Sequence, residues 1–314
     1  MRTGQHRGSH ALAGLAVCAA WLATPALAQS PGIAGVIAPG AEVELVQEGF
    51  AFTEGPVGTP DGGLYFSDIP PNKTFHLDRD GKITTVREET GGGNGLALTR
   101  DGDIFTAEGV ARRISKRSRD GAVTTVVDRI DRKPFLAPND LIIDQKGGIY
   151  ITDPGPRPVV PGRPTYVAYL PAGDKEAILV DGEVPRPNGL TLSRDGKTLI
   201  VDDTIGNVVF AYDVQSDGTV TNKRAFARLH DIPEGKDSGA DGLALDNADR
   251  VFISTVAGVQ VFDAAGQYLG TLKVPRQPAN VAFAGPDKSV LYITAREGLY
   301  RIKTLTRGPD RIGK

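Results

Sequence analysis

Cysteine is almost missing from this 314-residue chain: there is one, Cys18, and it sits inside an apolar N-terminal stretch. Disulfide frameworks, thiolate metal sites and cysteine nucleophiles are therefore excluded from everything beyond that stretch. Histidine is also scarce. Of four, only His76 and His230 lie beyond the N-terminal stretch, and a Ser-His-Asp triad would need one of them. We read His76 as a surface or packing residue of an outer strand and His230 as part of the approach to Asp241. No charge of one sign dominates, with 36 Lys and Arg against 38 Asp and Glu, so nothing points to nucleic acid as a partner. The Arg112-Arg113 and Lys116-Arg117 pairs read as solvated strand faces. The Gly91-Gly92-Gly93-Asn94-Gly95 run lacks the Lys-Ser/Thr of a phosphate loop and reads as a connection. Few segments carry helical periodicity.

The apolar run from Ala11 to Ala23 is too short to span a bilayer. Preceded by Arg2 and Arg7 and followed by Ala26-Leu27-Ala28, it reads as a secretory signal over 1–28 that is removed. Cleavage would leave a periplasmic or secreted protein with no membrane attachment. A lipoprotein signal at Cys18 is the alternative, but Val17 stands where a small residue is expected. Residues 29–41 read as a flexible leader.

What is abundant is Gly (39), Pro (22) and short Val/Ile/Thr/Tyr/Phe runs broken by Asp-Gly, the pattern of an all-β repeat. Phe52 to Asp68, a strand, an Asp-Gly turn and a second strand, returns five more times. The copies align on Tyr65, Phe105, Tyr150, Leu199, Phe252 and Tyr292, at intervals of roughly 40 to 50 residues. Each decomposes into four strands except the sixth, which has three and ends in Leu299 to Ile302. Val43 to Gln47 is an unpaired strand at the other end of the chain. Pairing the two leaves no open edge. The expected fold is a six-bladed β-propeller over 42–305, its last blade closed by the N-terminal strand, with a C-terminal tail over 306–314. A capped solenoid is the alternative architecture.

Eleven residues before the first five anchors, and twelve before the sixth, stand Glu54, Asn94, Asn139, Asn188, Asp241 and Asn280. Innermost propeller strands line the axis, so six side-chain oxygens converge at one end of the channel. Two carboxylates among amides suit a hard divalent cation; the absence of His and Cys disfavours a dedicated zinc or copper site. Asn-Gly and Asp-Gly also cap turns without any ligand, which is the plainer reading of Asn94 and Asn280. Three residues beyond each anchor stand Asp68, Glu108, Asp153, Asp202, Thr255 and Ala295. This is a second polar ring, suited either to substrate contact or to turn capping. The proline-rich insertion from Pro154 to Pro164 is a candidate rim or lid.

Thr53-Glu54-Gly55-Pro56, Pro138-Asn139-Asp140, Ile151-Thr152-Asp153-Pro154, Pro187-Asn188-Gly189-Leu190 and Ala240-Asp241-Gly242-Leu243 together resemble the SMP-30/gluconolactonase/luciferin-regenerating-enzyme family of six-bladed propellers. The similarity runs through nearly all of Phe50 to Lys303. By that resemblance Glu54, Asn188 and Asp241 hold a metal, Asn139 lies on the metal or on the substrate beside it, and Asp241 doubles as the catalytic acid/base. Glu108 and Asp153 are the further candidates for substrate contact. The resemblance implies a metal-dependent hydrolase of a cyclic ester, a sugar lactone first. The cofactor is a divalent cation, Ca²⁺ ahead of Zn²⁺, Mn²⁺ or Mg²⁺, and the partner is a small-molecule substrate. Two positions depart from relatives. Ala107-Glu108-Gly109-Val110-Ala111-Arg112-Arg113 lacks the histidine found there in many gluconolactonase-like members, and Ala137 stands where vertebrate members have arginine. Phosphotriester hydrolysis on the same site, or a non-catalytic metal-stabilised binding propeller, are the alternatives.

Overall fold

The computed structural model describes residues 31–311, with Met1 and Gly4; most of the expected signal over 1–28 lies outside the described residues. Among the described residues there is no helix. The chain forms six four-stranded antiparallel sheets and one small hairpin. The first blade runs Thr53–Gly58, Leu64–Asp68, Lys73–Leu77 and Ile83–Glu88 from the axis outward. The innermost strands of the following blades are Gly93–Leu98, Asp140–Ile143, Pro187–Leu192, Leu243–Leu245 and Asn280–Ala284. Each touches the next, and the sixth touches the first, so the ring is closed. The fold is a six-bladed β-propeller.

Closure follows the expected route, shifted by one residue. The N-terminal strand is Glu44–Glu48, and it pairs antiparallel with Gly298–Lys303 as the outermost strand of the sixth blade. An alternating sheet has two faces, and here both are apolar, so the core is split into layers between adjacent blades. Leu64, Phe66 and Leu77 of the first blade meet Ala282, Tyr292 and Leu299 of the last in one such layer. Ile142 and Tyr150 of the third meet Leu190, Leu199 and Tyr212 of the fourth in another.

The leader expected to be flexible over 29–41 is packed where it is described. Ile33, Val36 and Ile37 are buried in the layer between the fifth and sixth blades, against Val259, Val261, Leu272 and Phe283. A tight turn closed by Ile33 N–H on the Ile37 carbonyl (2.9 Å) lets three apolar side chains enter together. The Val36 carbonyl then accepts from Leu305 N–H at 2.8 Å. The misreading has a simple cause: three aliphatic residues among Pro, Gly and Ala carry no period. The C-terminal tail is likewise fastened. Asn247 N–H donates to the Arg307 carbonyl at 2.8 Å, and Arg311 Nη2 reaches Thr191 Oγ1 of the fourth blade at 2.7 Å.

Candidate metal centre

Three innermost strands carry a β-bulge at the ring position. Glu54 pairs with Ser67 but Val57 with Tyr65; Gly93 pairs with Glu108 but Leu96 with Thr106; Pro187 pairs with Asp203 but Leu190 with Val201. In each case one extra residue is inserted beside Glu54, Asn94 or Asn188. Bulges bend a strand and re-aim its side chains, so each of these three ring residues sits where its strand departs from regular pleating. The glycines that follow ring residues are required by close approach. A Cβ on Gly189 would collide with the Asp241 carbonyl, and one on Gly242 with the Asn280 side chain. The recurring Xaa-Gly pair is thus how four of the six blades admit the ring segment of the next.

The structure brings Glu54 and Asp241 together, close enough for their carboxyls to hydrogen-bond. Burial is the largest influence on each and raises both above their ordinary values; Asp241 is pushed well above, with the Glu54, Asp202 and Asp140 charges adding to the effect. Glu54 Oε2 accepts from Gly55 N–H at 2.7 Å and Asn280 Nδ2 at 2.9 Å. Asn188 is held by one end: Nδ2 donates to Thr204 Oγ1 at 3.0 Å, and that hydroxyl donates to the Ala240 carbonyl at 2.9 Å. Its Oδ1, and Oδ1 of Asn94, are buried with no hydrogen-bond partner. Unpaired buried acceptors are costly. Two such oxygens beside a pair of repelling carboxyls are a donor set that fits a hard cation.

Asn139 is half-buried, its backbone fixed by Thr152 and Gly95 at 2.8 and 2.9 Å. Asn280 is different, for both ends of its amide are used: Nδ2 on Glu54, and Oδ1 by Val281 N–H at 2.8 Å. It supports the ring through Glu54, and its oxygen already accepts one hydrogen bond. Among the described residues no three His, Cys, Asp or Glu side chains form a metal-binding group; the fit rests on amide oxygens as much as on carboxylates.

The second ring divides into distinct roles. Asp153 accepts from the N–H groups of Leu136, Ala137 and Gly155 at 2.6, 2.7 and 3.1 Å, which fixes the segment leading to Asn139. Asp68 does the same for Ala51 and Phe52 ahead of Glu54. Glu108 is fully buried and bound by Arg87 and Arg113, each at 2.6 Å, and by Ser115 at 2.5 Å. In the fourth blade the capping passes to the next residue: Asp203 accepts from Arg186 N–H at 3.0 Å, while Asp202 turns inward to Gly189 N–H at 3.0 Å and acts on Asp241. The histidines stand apart, His76 against Tyr65 and His230 stacked on Tyr268 at 4.1 Å.

Sequence reasoning passed over three residues. Asp140 is fully buried and its charge acts on both Glu54 and Asp241; its signal was that blade three has Asp where four other blades have Gly after the ring residue. Thr204 gave no signal. Neither did Arg186, which is 6% exposed.

The carboxyl pair sets a pH dependence. Both folded values are raised from 4.5 and 3.8, so the metal-free fold holds protons that the unfolded chain has released. Its stability therefore declines as pH rises from about 4 through the raised values. A cation taken up between the two carboxyls would have to displace those protons. Calorimetry of Ca²⁺ binding in two buffers of different ionisation enthalpy should show proton release, and an affinity that weakens as pH falls. Binding without proton release would mean that the pair is already fully ionised.

A sequence profile of the SMP-30/Gluconolactonase/LRE-like region matches residues 52–297. The gluconolactonase of Zymomonas mobilis is 27% identical over 319 residues, covering 89% of this chain and 86% of that one. The pentonolactonase of Haloferax volcanii is 29% identical over 254 residues, covering 78% and 81%. Among solved structures, the gluconolactonase of Xanthomonas campestris superposes with a TM-score of 0.75 at 28% identity, covering 84% and 90%. With its bulged ring strands and the match spanning all six blades, the chain belongs to the SMP-30/gluconolactonase/LRE-like family.

Proposed function

We propose that this protein is an exported, metal-dependent hydrolase of sugar lactones. The observation that carries the reading is the pairing of two buried, unpartnered amide oxygens, on Asn94 and Asn188, with the Glu54–Asp241 carboxyls at one end of the channel. Relatives that are lactonases support the substrate class. Export rests on the N-terminal sequence and places the protein in the periplasm or outside the cell.

Glu54, Asn188 and Asp241 would hold the cation, Ca²⁺ by the all-oxygen donor set, with Asn94 Oδ1 able to join them. When bound, a divalent cation supplies positive charge against the ester carbonyl oxygen. Asp241 then accepts a proton from the water that attacks the carbonyl carbon. It returns that proton to the ring oxygen as the C–O bond breaks, giving a hydroxy acid. Asn139 contacts the substrate. Asp153 fixes the strand entry that carries Asn139 and Thr204 sets the amide of Asn188; Glu108 anchors the neighbouring blade wall through its two arginines.

A non-catalytic propeller would use the same ring without needing a proton acceptor, so the test pairs binding with turnover. Chelation should abolish lactone hydrolysis. At a cation concentration 100 times Kd it should also remove about 2.7 kcal/mol of stability. Glu54→Gln should weaken Ca²⁺ binding at least tenfold by calorimetry, since one of the two ring charges is lost. Unchanged affinity would remove Glu54 from the ligand set, and turnover that survives chelation would sink the metal-dependent reading.

A further inference from the structure

Arg186 is unaccounted for by this chemistry. It lies two residues before Asn188 at the entry to the fourth innermost strand, and its backbone N–H is capped by Asp203. The side chain is 6% exposed, and its Nε–H is buried with no acceptor. Among the described residues the side chain makes one hydrogen bond, from Nη1 to the Pro154 carbonyl at 3.4 Å. A guanidinium is always charged, and burying one without an anionic partner is costly.

The surroundings do not neutralise it by contact. Among the described residues Arg186 makes no ion pair within 4.0 Å, and Arg157 on the overlying loop is close enough for its like charge to act on it. Three carboxylates act from further off. Asp203 is occupied by the N–H groups of Arg186, Ile205 and Gly206; Asp237 is exposed; Asp241 belongs to the carboxyl pair. Arg186 lines a cavity of about 320 Å³ beneath the proline-rich loop, whose walls also include Arg163, Val159 and Pro161. The acid in its lining, Glu183, is paired with Lys223 at 3.4 Å.

We propose that Arg186, with the charge of Arg157 acting on it from the loop, forms an anion subsite in the cavity beneath the proline-rich loop, two residues along the chain from Asn188, and that it selects lactones bearing a second oxyanionic group such as a carboxylate. The inference rests on the lactonase reading and specifies its substrate class. Nε–H and an Nη of Arg186 form the fork that a carboxylate fills with two charge-assisted hydrogen bonds. The proline-rich insertion is then the rim that carries the second arginine and excludes water from the first. The group bound here is held away from the scissile ester, so it acts through positioning and affinity.

The test compares D-glucaro-1,4-lactone with the neutral D-glucono-1,5-lactone on the cation-loaded protein. The wild type should favour the acidic lactone at least tenfold in kcat/KM, and Arg186→Gln should lower that ratio by at least tenfold. Arg157→Ala, at an exposed position, should lower it severalfold without touching the core. A ratio that is unchanged in both variants would overturn the subsite while leaving lactone hydrolysis standing. Direct calorimetry of D-glucarate against D-gluconate separates the two ideas from the other side. Tighter glucarate binding that is lost in Arg186→Gln would keep the subsite even in a protein that hydrolyses neither lactone, and equal binding of the two acids would overturn it.

Discussion

Asp241→Asn is expected to lower kcat on a sugar lactone by about 10²-fold or more, the contribution of a positioned acid/base group, with the fold intact. Asparagine keeps an oxygen of similar reach for the cation. It also removes the repulsion with Glu54 that pushes the Asp241 carboxyl upward. The metal-free variant should therefore be no less stable than the wild type at pH 7. It cannot accept a proton at neutral pH, so the loss belongs to kcat once the cation is saturating. Asn280→Ala is the informative contrast. Asn280 Oδ1 already accepts from Val281 N–H, and Nδ2 holds Glu54 Oε2 at 2.9 Å, so its loss should raise the Ca²⁺ concentration needed and leave the saturated kcat much closer to normal. Single-turnover and steady-state measurements across a Ca²⁺ titration check both. Near-normal turnover by saturated Asp241→Asn would mean that the proton is handled elsewhere, with Asp202 as the first group to examine.

A chain beginning at Gly49 is expected to lose more than about 10 °C of thermal stability, or not to fold at all. Two losses coincide. Residues Glu44–Glu48 complete the sixth blade, and without them Gly298–Lys303 becomes an open edge. Ile33, Val36 and Ile37 leave the layer between the fifth and sixth blades. At roughly 1.5–3 kcal/mol for each buried aliphatic side chain, the second loss alone is about 5 kcal/mol or more, and each kcal/mol shifts Tm by about 2–4 °C in a chain near this size. A chain beginning at Ala41 keeps the strand and loses only the aliphatic turn, so it should fall between the two. Melting curves of the three proteins decide it. Equal midpoints for the full-length and Gly49 chains would show that ring closure comes from inter-blade packing alone.

The blade count, the Asp-Gly turns, the closing strand to within one residue and the recurring polar position that opens each blade were legible in the chain alone. Propeller blades are meanders of adjacent hairpins, so most pairings are local and leave a repeating print. The Xaa-Gly pair was visible too, although the chain alone could not say whether it capped a turn or admitted a neighbouring blade; the collisions that a Cβ on Gly189 or Gly242 would make answer that. Tertiary structure decided what each polar group has left to offer. Asn94, Asn188 and Asn280 are the same residue type at the same repeat position. Yet Asn280 is spent on Glu54 and Val281, Asn188 is turned by Thr204, and the Oδ1 atoms of Asn94 and Asn188 remain without a partner. Asp202 and Asp203 are adjacent in sequence, but one caps a strand entry and the other acts on Asp241. Arg186 carries no signal in the chain, and its burial appears only in the folded structure. Hydrogen-bond saturation and burial are set by contacts between blades far apart in sequence, and those contacts leave no periodic trace in the chain.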